Sequence, residues 1–487
     1  MMEPGKREAC GIIATLDGRG NVAEKILFGL MALQHRGQES AGIAVSRDDG
    51  NIVIVKVNGL AGEGFGRADI ENLKGKMGIG HVRYSTAGFS CLENAHPIYL
   101  ENPRNGLALA HNGTIVNYAE LSEAISRNGK VPSALKCDAE VLLHILAEEL
   151  KKTDDPFEAL TSLSSKAEGA YSIACLTGRG ELLVFRDPLG FRPLCYGLDD
   201  GSFICASESV AIDMCGGKVK RDLAPGEAFL VSESSIERKQ FAPCKRRAHC
   251  MFEYVYFSRP DSVIEGRSVY EVRLNLGRNL GKTYGDDADV IVPVPDTARP
   301  AAEGISRVTG IPVAEGLIKN RYVHRTFIMP EQGRRENAVK AKVNPLIAVL
   351  NGQRVLLVDD SIVRGTTLKS IVNMVKKAGA REVHVRITCP PILSPCFYGI
   401  DISTHKELIA AYGNHPENIC RLLGAETLGY QTLDGLIDAI GLREEDLCFA
   451  CLTGVYPTPR AQQLADKMKE KNAASVKSRY IELNHVT

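Results

Sequence analysis

The stretch RVLLVDDSIVRGTTL, from Arg354 to Leu368, joins an apolar run to two adjacent aspartates and a turn of small residues. Val355, Leu356, Leu357 and Val358 have the length and composition of a parallel strand covered on both faces. From Ser361 to Thr367, small residues and Gly365 allow successive backbone N–H groups to converge at a helix N-terminus, where aligned amides and the helix dipole attract phosphate. Carboxylates do not bind phosphate, so Asp359 and Asp360 are assigned to sugar hydroxyls or to a bridging metal. A phosphate cradle beside a carboxylate pair describes a phosphorylated ribose. Two aspartates capping a helix would account for a bare pair, but not for the nine residues DDSIVRGTT. This cradle has no lysine, which separates it from the GxxxxGKS/T phosphate loop.

Thiols are the second source of chemistry. The 487 residues include 14 cysteines, and Lys+Arg and Asp+Glu are both 59. There is thus no overall basic field to announce nucleic acid, and the expected partners are small molecules and copies of the chain itself. No run approaches the ~18 apolar residues of a membrane span, and MMEPGKREA lacks the apolar stretch of a signal peptide, so a cytoplasmic location is expected. In that reducing compartment, thiols serve as core residues, metal ligands or nucleophiles. Cys175, Cys195 and Cys205 lie in apolar strand-like stretches and are assigned to packing. Cys10, Cys250, Cys396, Cys448 and Cys451 stand out by position or spacing. The CxxC of Cys448 and Cys451 is by itself shared by zinc and redox sites.

The elements that must position these residues follow two grammars, and the length calls for two or more domains. The first half reads as hairpins with added helices. ACGIIATL precedes a helix carrying Val22, Ile26, Leu30 and Leu33 on one face, with Asn21 as its cap; SAGIAVS and NIVIVKV flank an Asp48-Asp49-Gly50 turn, and GAYSIACLT and ELLVFRD flank Gly178-Arg179-Gly180, with SFICASE following. This is a layered antiparallel α+β pattern. From about residue 285, strands alternate with helices: VIVPVPD, a helix from Arg299 to Val308, IPVAEGL, VLLVDD, a helix from Thr366 to Ala378, and VHVRITC. That order predicts a parallel sheet with crossover helices. The boundary is placed in the charged stretch SESSIERKQFAPCKRRAHC, from Ser232 to Cys250, and the charged tail beyond Arg460 is read as a solvated outer helix.

DDSIVRGTT resembles the phosphoribosylpyrophosphate (PRPP) motif of type I phosphoribosyltransferases, whose cradle holds the 5-phosphate and whose acidic pair faces the ribose. In the first half, Cys10 followed by Gly11-Ile12, QHRGQESAGIA from Gln34, GHVRYST from Gly80, HNGTIVN from His111 and CDAEV from Cys137 together resemble the glutamine amidotransferase domain of the N-terminal nucleophile hydrolases. That resemblance implies an αββα layered domain in which Cys10 becomes residue one after removal of Met1 to Ala9. A free α-amino group has a pKa of roughly 7.7 to 8.0, so it can act as general base for its own thiol. Arg83 and Asp138 would hold the glutamine α-carboxylate and α-ammonium, and the Asn112 side chain and Gly113 N–H would form the oxyanion hole. On position alone, a surface ion pair for Arg83 and a cap of VLLHILAEELKK for Asp138 are the favoured readings; the conjunction of motifs reverses that preference. Cys137 and Ala139 depart from the flanking serine and threonine usual in the family. His35, His81 and His111 are assigned structural roles.

Joined, the halves resemble the glutamine phosphoribosylpyrophosphate amidotransferase family, which makes phosphoribosylamine at the first committed step of purine synthesis. MFEYVYFSRPDS, PVPDTARPAA, KNRYVHRTFI and CFYGIDIS extend the resemblance over nearly the whole chain. It implies a propeptide at 1–9, a glutaminase domain at 10–240, a phosphoribosyltransferase domain at 250–460 and a helical tail at 461–487. PRPP would be held by Asp359, Asp360, Ser361, Arg364, Gly365, Thr366 and Thr367, with one Mg2+ per subunit at Thr297, Asp359 and Asp360. Lys319 to Arg335 would form a lid. Cys250, Cys396, Cys448 and Cys451 match the iron-sulfur branch and would hold one 4Fe-4S cluster per subunit, zinc on the same thiolates being the rival. The family further implies purine nucleotides as feedback inhibitors and a homo-oligomer, a tetramer.

Overall fold

The computed structural model describes residues 10–20, 22–84, 92–101, 106–127, 135, 137–199, 201–285, 287–320, 343–402, 404–411 and 415–470. The predicted propeptide, the cap Asn21, most of the predicted lid and the last part of the tail lie outside the described residues. Among those described, no helix is long and apolar enough to cross a membrane.

Two antiparallel sheets are stacked in the first half. One has seven strands, with Gly11–Asp17 between Met77–Arg83 and Ser202–Ala206; the other has six, with Leu107–Ile115 paired to Gly169–Thr177. Alternation along Gly11–Asp17 sends Ile12, Ala14 and Leu16 between the sheets, where they meet Ala108, Ala174 and Phe203, and sends Ile13 outward against Ile26 and Leu30 of helix Val22–Ala32. On the far side of the second sheet, Leu109, Ile173 and Leu183 pack on Leu142 and Leu146 of helix Asp138–Lys152 and Leu160 of helix Pro156–Lys166. The order is helix, sheet, sheet, helix, and both faces of the inner strands are apolar because both are covered.

The second half carries a four-stranded parallel sheet in the order Val290–Pro293, Arg354–Asp359, Glu382–Ile387, Thr427–Tyr430. Its core joins Val292, Leu357 and Val385 to Val269 and Leu276 of helix Val269–Tyr284 and to Met251, Phe252, Tyr254 and Val255.

The structure adds one element to the sequence reading and corrects two others. Within the stretch from Ser232, a strand unmarked by the sequence reading appears: Ile236–Gln240 pairs with Glu227–Val231 as the outermost strand of the six-stranded sheet, and Phe241 and Ala242 enter the first half's core. IPVAEGL is not a sheet strand, since Val313 makes one isolated bridge to Ile291 and Leu317–Lys319 pairs instead with Val343–Pro345. The tail is not solvated on all sides. Residues 459–470 are helical, and Ala461 and Ala465, one turn apart, are buried against a cluster containing Ala170, Phe191, Tyr398 and Cys448.

Candidate functional site

Cys10 stands at the mouth of strand Gly11–Asp17, and its thiol donates to the Tyr84 carbonyl at 3.4 Å. Burial pushes the thiol pKa up; the Tyr84 contact and the Arg83 charge act the other way, and Asp138 adds to the rise. Arg83 and Asp138 are therefore both within electrostatic reach of the sulfur, although they lie at the end of one strand and the start of a distant helix. Asp138 does not cap that helix. It is the first residue after the cap position Cys137, and its Oδ2 accepts the Ile115 N–H at 3.2 Å while Oδ1 lies 3.7 Å from His111 Nδ1. Burial works against its ionisation, but His111 and the Ile115 N–H prevail and the pKa is lowered.

Asn112 and Gly113 lie on strand Leu107–Ile115, which runs beside the Cys10 sheet: His81 Nε2 meets the His111 carbonyl at 3.1 Å across the gap. Asn112 is 1 % exposed, yet its Nδ2 has no hydrogen-bond partner among the described residues. An unmade bond at a buried amide costs about 1–3 kcal/mol, so such a donor marks a place where an acceptor arrives. Gly113 has φ +147°, and a Cβ there would lie 2.0 Å from the Ala170 carbonyl oxygen, so no other residue fits without moving the neighbouring strand.

No sequence signal points to the ion pairs that support Cys10. Arg36 Nε donates to the Cys10 carbonyl at 3.0 Å; its Nη1 reaches Glu208 at 2.6 Å and Glu253 at 2.9 Å, and its Nη2 reaches Glu253 at 2.8 Å. Glu253 also accepts from Arg192 Nη1 at 3.0 Å and Ser258 Oγ at 2.7 Å. Glu208 takes Ser262 Oγ at 2.7 Å and pairs with His35 Nε2 at 2.7 Å. Arg36, Arg192, Glu208 and Glu253 are each at most 1 % exposed. Removing one partner from such a buried pair costs about 3–5 kcal/mol. Arg36 falls inside the QHRGQ landmark, but no local spacing ties it to carboxylates so far along the chain.

The second candidate site lies at the carboxyl ends of the parallel strands, where ligands bind in open α/β sheets. Ser361 to Thr367 line an open cleft together with Phe252, Tyr256, Phe257, Asp359 and Glu407. Gly365, at φ +76°, caps helix Thr366–Lys377, and a Cβ there would lie 2.7 Å from Ile409 Cδ1. Arg364 pairs with Glu407 at 2.6 Å. Asp359 and Asp360 are 2 % and 1 % exposed. Asp360 accepts from Thr297 Oγ1 at 2.5 Å and Ser361 Oγ at 2.6 Å, so the predicted Thr297 is brought to the acidic pair from another loop.

Cys250 and Cys448 are direct partners in a short parallel ladder, and the Cys451 carbonyl accepts the Leu393 and Ser394 N–H groups at 2.9 and 3.0 Å. Cys396 follows two residues later, its sulfur accepting the Tyr398 N–H at 3.4 Å. Burial raises all four thiol pKa values, that of Cys250 to about 12, and Cys396 adds to the rise at each of the other three. The four are therefore neighbours from three chain segments. Among the described residues, however, no three His, Cys, Asp or Glu side chains are grouped as one metal ion requires.

An antiparallel double sheet ending in a buried thiol, fused to a parallel sheet with a phosphate cradle, defines a glutamine amidotransferase joined to a phosphoribosyltransferase. Residues 81–214 match the glutamine amidotransferase domain family and residues 271–391 the phosphoribosyl transferase domain family. The chain is 47 % identical over 463 residues to the amidophosphoribosyltransferase of Methanothermobacter thermautotrophicus, covering 94 % of this chain and 97 % of that one. To the Bacillus subtilis amidophosphoribosyltransferase it is 42 % identical, covering 93 % and 95 %. The solved B. subtilis glutamine PRPP amidotransferase complexed with ADP and GMP superposes with a TM-score of 0.85 at 41 % identity, covering 93 % of this chain and 98 % of that chain. This chain belongs to the amidophosphoribosyltransferase family of purine biosynthesis.

Proposed function

We propose that Cys10 releases ammonia from glutamine and that the ammonia displaces pyrophosphate from PRPP at the cradle, giving 5-phosphoribosylamine. The observation that supports this reading is that Asp138, whose charge reaches the Cys10 thiol as that of Arg83 does, is bonded to Ile115 N on the strand that carries Asn112, whose buried amide has no partner among the described residues. Removal of residues 1–9 frees the Cys10 α-amino group, which takes the thiol proton as sulfur attacks the glutamine amide carbon. The oxyanion that forms lies between Asn112 Nδ2 and the Gly113 N–H. Arg83 and Asp138 hold the α-carboxylate and α-ammonium, a fork and a carboxylate matched to opposite charges.

In the second half, Ser361 to Thr367 hold the 5-phosphate with backbone amides, and Asp359 and Asp360 face the ribose hydroxyls. Thr297, Asp359 and Asp360 present hard oxygen donors suited to Mg2+, which binds through one or two carboxylates plus substrate phosphates. When bound, the ion neutralises the departing pyrophosphate. Purine nucleotides, such as the ADP and GMP of the B. subtilis complex, are proposed as feedback inhibitors. In the full-length protein, Cys10→Ala should abolish glutamine-dependent pyrophosphate release while activity with added ammonium persists. If a folded variant lost both activities, or kept glutamine use, Cys10 would not be the nucleophile.

The family resemblance supports a 4Fe-4S cluster on Cys250, Cys396, Cys448 and Cys451. Zinc held tetrahedrally by the same four thiolates is the rival occupant. A cluster spreads its ligands over four irons. Its role is structural, because the reaction transfers no electrons. Anaerobically purified protein should be brown, with about four irons and four sulfides per chain; a colourless protein with one zinc per chain would refute the assignment.

A further inference from the structure

We propose that Glu253, carried by the second half of the chain, positions the first half's nucleophile: it holds Arg36, and Arg36 holds the peptide carbonyl of Cys10. This rests on Cys10 being the nucleophile. The segment Met251–Val255 belongs to the second half's core, packed with Val292, Leu357 and Val385, so the carboxylate that grips Arg36 arrives from the other domain.

Arg36 has little freedom. Its three N–H-bearing nitrogens are all engaged, with Nε on the Cys10 carbonyl at 3.0 Å and Nη1 and Nη2 on Glu253 at 2.9 and 2.8 Å. A planar fork held at both ends fixes the plane of the peptide it touches. That peptide is the one leaving Cys10, and its orientation sets where the sulfur stands relative to Asn112 and Arg83. Packing leaves no slack nearby: a Cβ at Gly11 would lie 3.0 Å from Leu33 Cβ and 3.3 Å from Arg36 Cδ. Glu253 is fixed in turn by Arg192 and Ser258.

The same five-residue turn, Glu253–Phe257, supplies Tyr256 and Phe257 to the wall of the phosphate cleft. One turn therefore touches the cradle at one end and, through a single arginine, the nucleophile at the other. The first half alone would keep Glu208 but lose Glu253, leaving Arg36 gripped on one side only. Glu208 sits in the first half beside Ser209–Met214 and is itself held by the second half's Arg259 N–H and Ser262 Oγ at 2.9 and 2.7 Å, so Glu253 is the carboxylate that the second domain supplies to Arg36 directly.

The test uses the full-length enzyme and compares Glu253→Gln and Arg36→Lys with wild type. Misplacing a reacting group by 1 Å can cost about a hundredfold, so kcat with glutamine should fall by roughly tenfold to a hundredfold with glutamine KM held within about twofold. The ammonium-dependent rate should stay within about twofold, and alkylation of Cys10 by a glutamine-shaped diazoketone should slow in step with kcat. If Glu253→Gln does not fold, Arg36→Lys carries the test, because a lysine keeps the charge but cannot serve the carbonyl and the carboxylate together. Wild-type glutamine kinetics in either folded variant, or glutamine and ammonium rates falling together, would overturn the inference and leave the network a simple domain clamp. Cys10→Ala separates the two readings. Glutamine use surviving in that variant removes Cys10 itself, whereas its loss there alongside normal kinetics in Glu253→Gln refutes only the role of Glu253.

Discussion

The proposed phosphate cradle is written in nine consecutive residues, whereas the proposed glutamine site draws Cys10, Arg83, Asn112, Gly113 and Asp138 from three strands and a helix start. The first depends mainly on backbone amides fixed by one turn. The second depends on buried side chains, each needing support from elsewhere, and Cys10 is braced from the opposite domain. A site made of backbone can be local; a site made of buried side chains inherits the whole fold's geometry.

That contrast breaks most readily at the acidic pair. Asp359→Asn or Asp360→Asn should abolish PRPP-dependent synthesis with either nitrogen source while leaving glutamine hydrolysis intact. Charge stabilisation by a bound cation is worth several kcal/mol, which at 1.36 kcal/mol per decade is about a hundredfold or more. Assays of pyrophosphate and glutamate release read the two halves separately, and wild-type ammonium-dependent rates would remove the pair from the site. Asn112→Ala is the mirror case. Losing one oxyanion donor should cut glutamine kcat by about a hundredfold to a thousandfold and spare the ammonium reaction; equal loss of both would show that the amide serves packing.

A third consequence concerns stability and touches neither reaction. Burial holds His81 at a pKa of about 3, and His96, its ring neighbour with centroids 4.4 Å apart, well below the usual histidine range. Both are neutral in the folded state, while the unfolded chain protonates near 6.5. Their contribution is thus complete above pH 6.5 and is lost as pH falls towards the folded values, at about 1.4 kcal/mol per group per pH unit. Tm should decline between pH 6.5 and 4.5, with hydrogen exchange accelerating first around strand Met77–Arg83. A pH-independent Tm over that range would contradict the burial of these rings.

Much of this is legible in the sequence because local signals agree with the fold. The run before Asp359 is apolar because sheet neighbours lie on both sides and helices on both faces, and DDSIVRGTT keeps cradle and carboxylates together. Asp138 is legible only through its companions, since on position alone it passes for a helix cap. What stays hidden is long-range. Arg36 and Glu253 lie 217 positions apart, and charges at such separation leave no periodic trace. Cys195–Asp199 and Lys218–Asp222 cannot be read as a pair because Asp199, Lys218 and Arg221 interrupt the alternation expected of a half-buried strand. The tail helix misleads because its buried strip is only alanine, too weakly apolar to register against many charges.

The outermost strand of the six-stranded sheet, Ile236–Gln240, has every residue exposed and one row of backbone groups unpaired. Such a rim is a template on which another chain could add a strand, and from there aggregation grows. Glu237, Arg238 and Lys239 place three consecutive charges along it, and the opposite rim, Ile98–Leu100, is only three residues long. Solubility at high concentration therefore depends on this charged margin: neutralising Arg238 and Lys239 would turn a closed border into an adhesive one without touching either reaction.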